Sequence, residues 1–304
     1  MKRKMAFFLC TVLLLGLCAC NSQPAVKVPD DDAPKTNPPT TLKILKVLAI
    51  GNSFSVDAME HLYAVAKAEG VEEVVLGNLY IGGCTIATHA SNAQSNAAKY
   101  RYYKNTDGQW TQTEGYTLLS GLQDEQWDLI TLQQGSASSG QVETYSASLD
   151  KLIAYVQDNC PEAKLGWHMT WAYQSDSTHN AFPNYGNNQQ AMYLGIINAV
   201  QVKIVTNDAF DVVLPVGTAI QNARTSYLGD NLTRDGYHLN DMGRLIASYT
   251  WYATLDGQKL NTLNLTKVTN MLTLTDADKA VVVEAINAAV ANPFAVTDSN
   301  QKTK

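Results

Sequence analysis

Charge is scarce in this chain: 16% of its 304 residues are Asp, Glu, Lys or Arg, against 45% hydrophobic. The formal net charge is -6, and past Lys2-Arg3-Lys4 there is no basic cluster. Binding a phosphate backbone calls for such a cluster, so no nucleic-acid partner is expected. Metal-ligand spacings are missing as well, with no His-x-x-x-His and no Cys-x-x-Cys, and no metal site is expected. Neither a Gly-x-x-x-x-Gly-Lys loop nor a Gly-x-Gly-x-x-Gly fingerprint occurs. No cofactor is expected. Of the five cysteines only Cys84 and Cys160 fall beyond the first twenty residues, too few for a disulfide framework, and both are expected to be free.

What is present begins with a leader. Met1 to Ala19 has a basic start, an apolar run from Met5 to Leu17 and small residues after it, the pattern of a secretory signal. It is too short to span a bilayer as a mature helix. Its end, Leu17-Cys18-Ala19-Cys20, resembles the lipobox of bacterial lipoproteins, which implies cleavage before Cys20 and acylation of that cysteine. Cys18 is the second choice, and ordinary cleavage is the plainer alternative. Asn21 stands where an aspartate marks inner-membrane retention, so a lipid anchor in the outer membrane of a Gram-negative envelope is expected. Asn21 to Thr41 carries five of the nine prolines and Asp30-Asp31-Asp32, with no apolar period. It reads as a solvated tether. Residues 1–19 are therefore a signal, 20–41 a tether and 42–304 one domain.

That domain is organised around Lys43 to Ser55. A dense apolar run stops at Gly51-Asn52-Ser53, and an amphipathic segment, Asp57 to Glu69, follows. The run reads as a buried strand of a parallel sheet, with Ser53 where strand hands over to helix. Open α/β sheets place ligands at that edge, and helix N-terminal amides there favour developing negative charge. Further strands are expected over Glu73–Tyr80, Trp127–Leu132, Ala163–Thr170 and Asp211–Val216. Helices are expected over Tyr145–Asn159, Gln189–Val205, Thr218–Tyr227, Asp241–Leu255 and Asp276–Ala291, and a short helix or loop over Ala87–Ala98. Tyr100 to Tyr116 breaks the alternation. Two aromatic-rich runs flank Asn105-Thr106-Asp107-Gly108, the signature of an inserted β-hairpin that rims a site or covers an edge. Five strands alternating with helices predict a three-layer α/β/α sandwich with a mainly parallel five-stranded sheet.

A serine at a strand end needs a base, and the base needs an orienter. Of the five histidines, His61 reads as a surface residue and His168 as a core or pocket-wall residue in a strand. His89 and His179 have no acid at a telling spacing. His238 has Asp235 three residues before it in a Gly-containing loop, where one carboxylate can reach its Nδ1 and leave Nε2 as base. The plain alternatives are that Ser53 or Ser55 caps a helix starting near Val56 and that Asp235-Gly236 is an ordinary turn.

Three short blocks in order resemble the SGNH (GDSL-type) hydrolases. Gly51-Asn52-Ser53 is similar to the Gly-Asp-Ser block, with Asn for Asp, Gly83-Cys84-Thr85 to the second block, and Asp235-Gly236-Tyr237-His238 to the Asp-x-x-His block. The resemblance implies a flavodoxin-like fold, Ser53 as nucleophile, His238 as general base and Asp235 as its orienter. It also implies backbone oxyanion donors at Ser53 and Gly83. The third block departs: Leu132-Gln133-Gln134-Gly135-Ser136 stands in place of Gly-x-Asn-Asp. A branch resembling the sialate O-acetylesterases uses a glutamine there, so Gln133, with Gln134 second, is the expected side-chain donor. Trp167 and Trp171, with Tyr173 and Tyr185, are candidates for a sugar platform, core packing being the alternative.

The resemblance implies a carboxylic ester hydrolase, a serine esterase working through an acyl-enzyme on small acyl esters, O-acetyl groups of a glycan among them. A silent carbohydrate-binding lipoprotein and a lipase or thioesterase are the other readings.

Overall fold

The computed structural model describes residues 42–268 and 273–304. The expected signal, the tether and Cys20 lie outside the described residues. The chain runs β1 (Ile44–Gly51), α1 (Ser53–Met59), α2 (Leu62–Ala68), β2 (Glu73–Tyr80), α3 (Ile86–Ser95) and then the hairpin β3 (Tyr100–Asn105) and β4 (Thr111–Tyr116). It continues with α4 (Leu118–Leu122), β5 (Leu129–Leu132), α5 (Ser146–Asn159), β6 (Lys164–His168) and α6 (Gln189–Val200). The last elements are β7 (Val212–Leu214), α7 (Val216–Arg224), α8 (Asp241–Asp256) and α9 (Asp276–Ala291).

Val47, Leu48, Ala49 and Ile50 of β1 are all buried. A strand apolar on both faces belongs in the middle of a sheet that is covered on both sides. Accordingly β1 pairs in parallel with β2 on one side and β5 on the other, and β6 and β7 continue beyond β5. The chain therefore turns outward from β1 in two directions. Right-handed crossovers then put the connecting helices on opposite faces. One group of helices, α1, α2, α7, α8 and α9, packs together; α3, α4 and α5 form the other. The result is an α/β/α sandwich on a mostly parallel sheet.

Two details differ from the sequence expectation. The hairpin covers an edge, one of its two expected roles, and in doing so enlarges the five-stranded sheet: β3 pairs antiparallel with β2, and β4 with β3, giving seven strands in the order β4-β3-β2-β1-β5-β6-β7. Without β3 the outer edge of β2 would present a row of unpaired backbone groups. The expected helix from Asp57 to Glu69 is instead α1 and α2, broken at Glu60-His61. There the His61 N–H donates to Ser248 Oγ of α8 at 3.2 Å, so the break serves packing against α8. His61 is no free surface residue either. Its Nε2 is buried without a partner, and burial pulls its pKa down to about 4.

Cys84 and Cys160 are free thiols. Among the described residues no helix is long and apolar enough to cross a membrane.

Candidate active site

The carboxyl ends of β1, β2 and β5 open onto one edge, and β1 is where the strand order reverses, the place where such sheets hold ligands. Gly51 closes β1 because nothing larger fits. A Cβ there would stand 2.6 Å from Ser55 Oγ and 2.9 Å from Gln133 Oε1. Asn52 then caps α1, its Oδ1 accepting from the Phe54 N–H at 3.0 Å. Ser53 is thus the first helical residue and not the cap. Its own N–H belongs to the set that a helix leaves unpaired, and it has no protein acceptor among the described residues.

From the far end of the chain a loop brings the imidazole. His238 Nε2 lies 2.9 Å from Ser53 Oγ, and His238 Nδ1 lies 2.6 Å from Asp235 Oδ2. The other carboxylate oxygen of Asp235 accepts from the His238 and Tyr237 backbone N–H groups at 2.7 and 3.2 Å. Desolvation alone would raise the Asp235 pKa. The bonds from the His238 side chain and from these two backbone amides outweigh it and hold the carboxyl below its usual range. Asp235 is therefore an anion held against Nδ1, which leaves Nε2 as the acceptor facing the serine.

The loop is fastened from beneath by Trp171, which the sequence offered for a different role, and by Asp57, which it did not single out. Trp171 Nε1 donates to the Tyr237 carbonyl at 2.8 Å, and the Trp171 ring stacks on Phe54 of α1 with centroids 4.1 Å apart. Asp57, one turn after Ser53, is buried and accepts from the Leu239 N–H at 2.9 Å and from Arg234 Nη1 at 3.0 Å. Arg244 Nε adds a third donor at 2.9 Å. One carboxylate on the helix that carries Ser53 thereby holds the residue next to His238. The available signal was the spacing of four, which puts Asp57 on the face of α1 that carries Ser53.

Asp57 is buried while Arg234 and Arg244 keep 42% and 22% of their side chains exposed, so removing the carboxylate mainly strands the buried Leu239 N–H, at a cost of about 2 kcal/mol. Asp57→Ala should lower the unfolding free energy in urea by about that amount. It should also reduce turnover of any substrate, because the His238 loop loses its tie. Unchanged stability would show the cluster to be solvent-relaxed.

The two glutamines do not stand where the resemblance put them. Gln133 is buried. Its Nε2 donates to Asn52 Oδ1 at 2.8 Å, and its Oε1 lies 2.8 Å from His168 Nδ1. Gln134 donates to Thr144 Oγ1 at 3.0 Å and accepts from the Ile86 and Gly135 N–H groups. Neither lines the cleft over Ser53. The departures in the first and third blocks instead form one network. Asn52 accepts from Gln133 and donates its Nδ2 to the Cys84 carbonyl at 3.1 Å, which an aspartate could not do. His168, expected in the core or a pocket wall, is in the core. Burial keeps it neutral, its pKa pulled down to about 3.

Gly83 is exposed at φ +63°, a conformation that favours glycine, and its N–H has no protein acceptor among the described residues. It lines the same cleft as Ser53, His238 and Ser136, a hollow of about 480 Å³. Tyr80, Tyr103, Tyr237, His179 and Arg234 form its walls. The expected sugar platform is not among them. Trp167 and Trp171 are 1% and 0% exposed, and Tyr173 and Tyr185 are buried too. Their apolar area seals β6 and its following loop onto the core. A larger hollow, about 1030 Å³, borders α9 and shares no residue with the triad cleft.

Residues 46–276 match a family model described as "Domain of unknown function (DUF4886)". Among solved structures the chain is similar to a DUF4886 family protein from Bacteroides uniformis ATCC 8492. The two are 38% identical over 86% of this chain and 100% of that one, with a TM-score of 0.79. It is also similar to a protein from Slackia heliotrinireducens described as a candidate SGNH hydrolase, at 19% identity over 70% of this chain and 100% of that one, TM-score 0.49. A family 3 carbohydrate esterase from Clostridium thermocellum is similar at 16% identity, over 70% of this chain and 96% of that one, TM-score 0.44. No curated protein matches.

Proposed function

The chain belongs to the DUF4886 family, and we propose that it is a serine esterase hydrolysing small acyl esters, acetyl esters foremost. The observation that carries this reading is the continuous chain Ser53 Oγ, His238 Nε2, His238 Nδ1, Asp235 Oδ2, with separations of 2.9 and 2.6 Å at the mouth of one cleft. Ser53 Oγ attacks the ester carbonyl as His238 takes its proton. Asp235 steadies the imidazolium. The oxyanion is met by the free N–H groups of Ser53 and Gly83, at the helix start where negative charge is favoured. His238 then gives the proton to the leaving alcohol. Water, deprotonated by the same imidazole, hydrolyses the acyl-enzyme.

A lipase needs a long apolar groove. The walls here mix Phe54 and Val56 with tyrosine, serine, histidine, aspartate and arginine, which suits a short acyl group on a polar alcohol better than a long chain. The lipobox-like end of the leader, with Cys20 as the residue to be acylated, supports reading this as an activity of the cell envelope on a lipid anchor in the outer membrane.

A fluorophosphonate probe tests the nucleophile directly. The expected result is a single covalent adduct on the peptide carrying Ser53, absent from His238→Ala protein. Folded protein that acquires no adduct at Ser53 overturns the reading.

A further inference from the structure

Beside the triad cleft lies a second, smaller cavity of about 170 Å³, lined by Val56, Glu60, Asn78, Tyr103 and Trp110. Val56 and Tyr103 line both hollows, so the two adjoin, and Val56 is one helical turn from Ser53. The side cavity is walled by α1 and β2 on one side and by the inserted hairpin on the other. Its chemistry is mixed in a specific way. Trp110 and Tyr103 are half-buried aromatic faces presented by the hairpin. Asn78 is only 2% exposed, and Ser55 Oγ, 3.0 Å from its Oδ1, holds that end of the carboxamide. The amide end has no protein acceptor among the described residues. Glu60, at the end of α1, has neither ion pair nor hydrogen bond to its carboxylate among the described residues.

The Asn78 amide lines the cavity wall, where it is left to donate to whatever group enters. An aromatic face, a free N–H donor and a free carboxylate acceptor around a space of this size fit one class of group: a single ring with one apolar face and hydroxyls at its edge. At about 170 Å³ the space is small beside the pockets of about 300–1,000 Å³ that hold drug-sized ligands, and it suits a single ring. We infer that the side cavity between α1 and the hairpin seats an uncharged, hydroxylated sugar ring as the alcohol part of the ester, stacked on Trp110 and Tyr103 and held at its hydroxyls by Asn78 and Glu60. The Glu60 carboxylate disfavours a uronate there by like charge. This inference rests on the esterase reading for the role of the bound ring, and on the cavity alone for its binding.

The test compares a mono-O-acetylated methyl glucopyranoside with ethyl acetate, whose alcohol is too small to fill the cavity, by acetate release. The expected kcat/KM for the sugar ester exceeds that for ethyl acetate by at least about tenfold, the worth of one aromatic contact and one charge-assisted hydrogen bond. Trp110→Ala should lower that ratio about tenfold, Glu60→Gln about fivefold, and Trp110→Phe should retain most of it. A ratio near one, or one that Trp110→Ala leaves unchanged, overturns the sugar subsite while the esterase stands. Ser53→Ala protein gives the independent arm, with methyl glucopyranoside titrated against tryptophan fluorescence. Trp110 is the half-buried reporter, since the other four tryptophans are buried. If the wild type cleaves neither ester, a Trp110-dependent change supports the subsite and removes the esterase. No change and no cleavage removes both.

Discussion

Ser53→Ala protein should fold as the wild type does and hydrolyse acetyl esters about 10⁵-fold more slowly, the scale of loss when a triad nucleophile is removed. The substitution touches little besides chemistry. Ser53 Oγ has His238 as its hydrogen-bond partner, and the α1 cap belongs to Asn52, so an alanine at the first helical position keeps the helix start intact. His238→Ala should cost about as much, and the double variant hardly more, because serine and base act as one unit. Asp235→Asn is the informative companion. An asparagine Oδ1 still accepts from the two backbone N–H groups that now bind Asp235. Its amide, however, donates to His238 Nδ1 and drives the ring proton to Nε2, where it faces the serine. Turnover should fall about 10⁴-fold with the fold preserved. The check is steady-state acetate release beside a thermal melt of each variant. Ser53→Ala retaining more than about a hundredth of the wild-type rate, once contaminating activity is removed, would place the nucleophile elsewhere.

The triad could be read from the chain because its members carry local signals: a serine where an apolar run stops, and a carboxylate three residues before a histidine in a glycine turn. The parallel strands were equally legible, since burial on both faces writes a continuous apolar run into the sequence. What could not be read depends on partners far away in sequence. Gln133 ends its strand as an exposed donor would, yet Asn52 and His168 claim both ends of its carboxamide. Trp167 and Trp171 look the same in sequence whether they face a sugar or a core. The long loop after β6 folds back over them and decides the matter. The break between α1 and α2 is likewise invisible locally, because it exists to meet Ser248, nearly the length of the domain away. The working sugar candidate, Trp110, sits at a hairpin turn that sequence marks only as a turn.

Lowering the pH from neutral to 5 should destabilise this domain far more steeply than carboxylate protonation can explain, and three histidines are the reason. His89 and His168 are fully buried with pKa values pulled down by desolvation to about 3, and His61 to about 4. Each has a ring nitrogen, Nε2, that is buried without a partner. The unfolded chain takes up protons on all three near pH 6.5, whereas the native state refuses them until about 3 to 4. Between those limits the unfolded state binds more protons, so stability rises with pH across the window and is lost as pH falls through it. Fully developed, each histidine contributes about 1.4 kcal/mol per pH unit, roughly 4 for the three, against a total stability of about 5–15. That corresponds to a Tm falling by about 10 °C per pH unit below 6. The carboxylates held below their usual range, Asp230, Asp235, Asp278 and Glu284, act in the same direction but only below about pH 4, so the windows separate. Calorimetric melts from pH 7.5 to 5 check the slope, and His89→Gln should flatten it by about a third at some loss of neutral stability. A Tm that is level over that range would mean that the buried rings find room to accept protons. Because His168 holds Gln133 and Gln133 holds Asn52 beside Ser53, the steep melt also predicts how activity ends in acid: with loss of the fold, above the melting temperature for that pH.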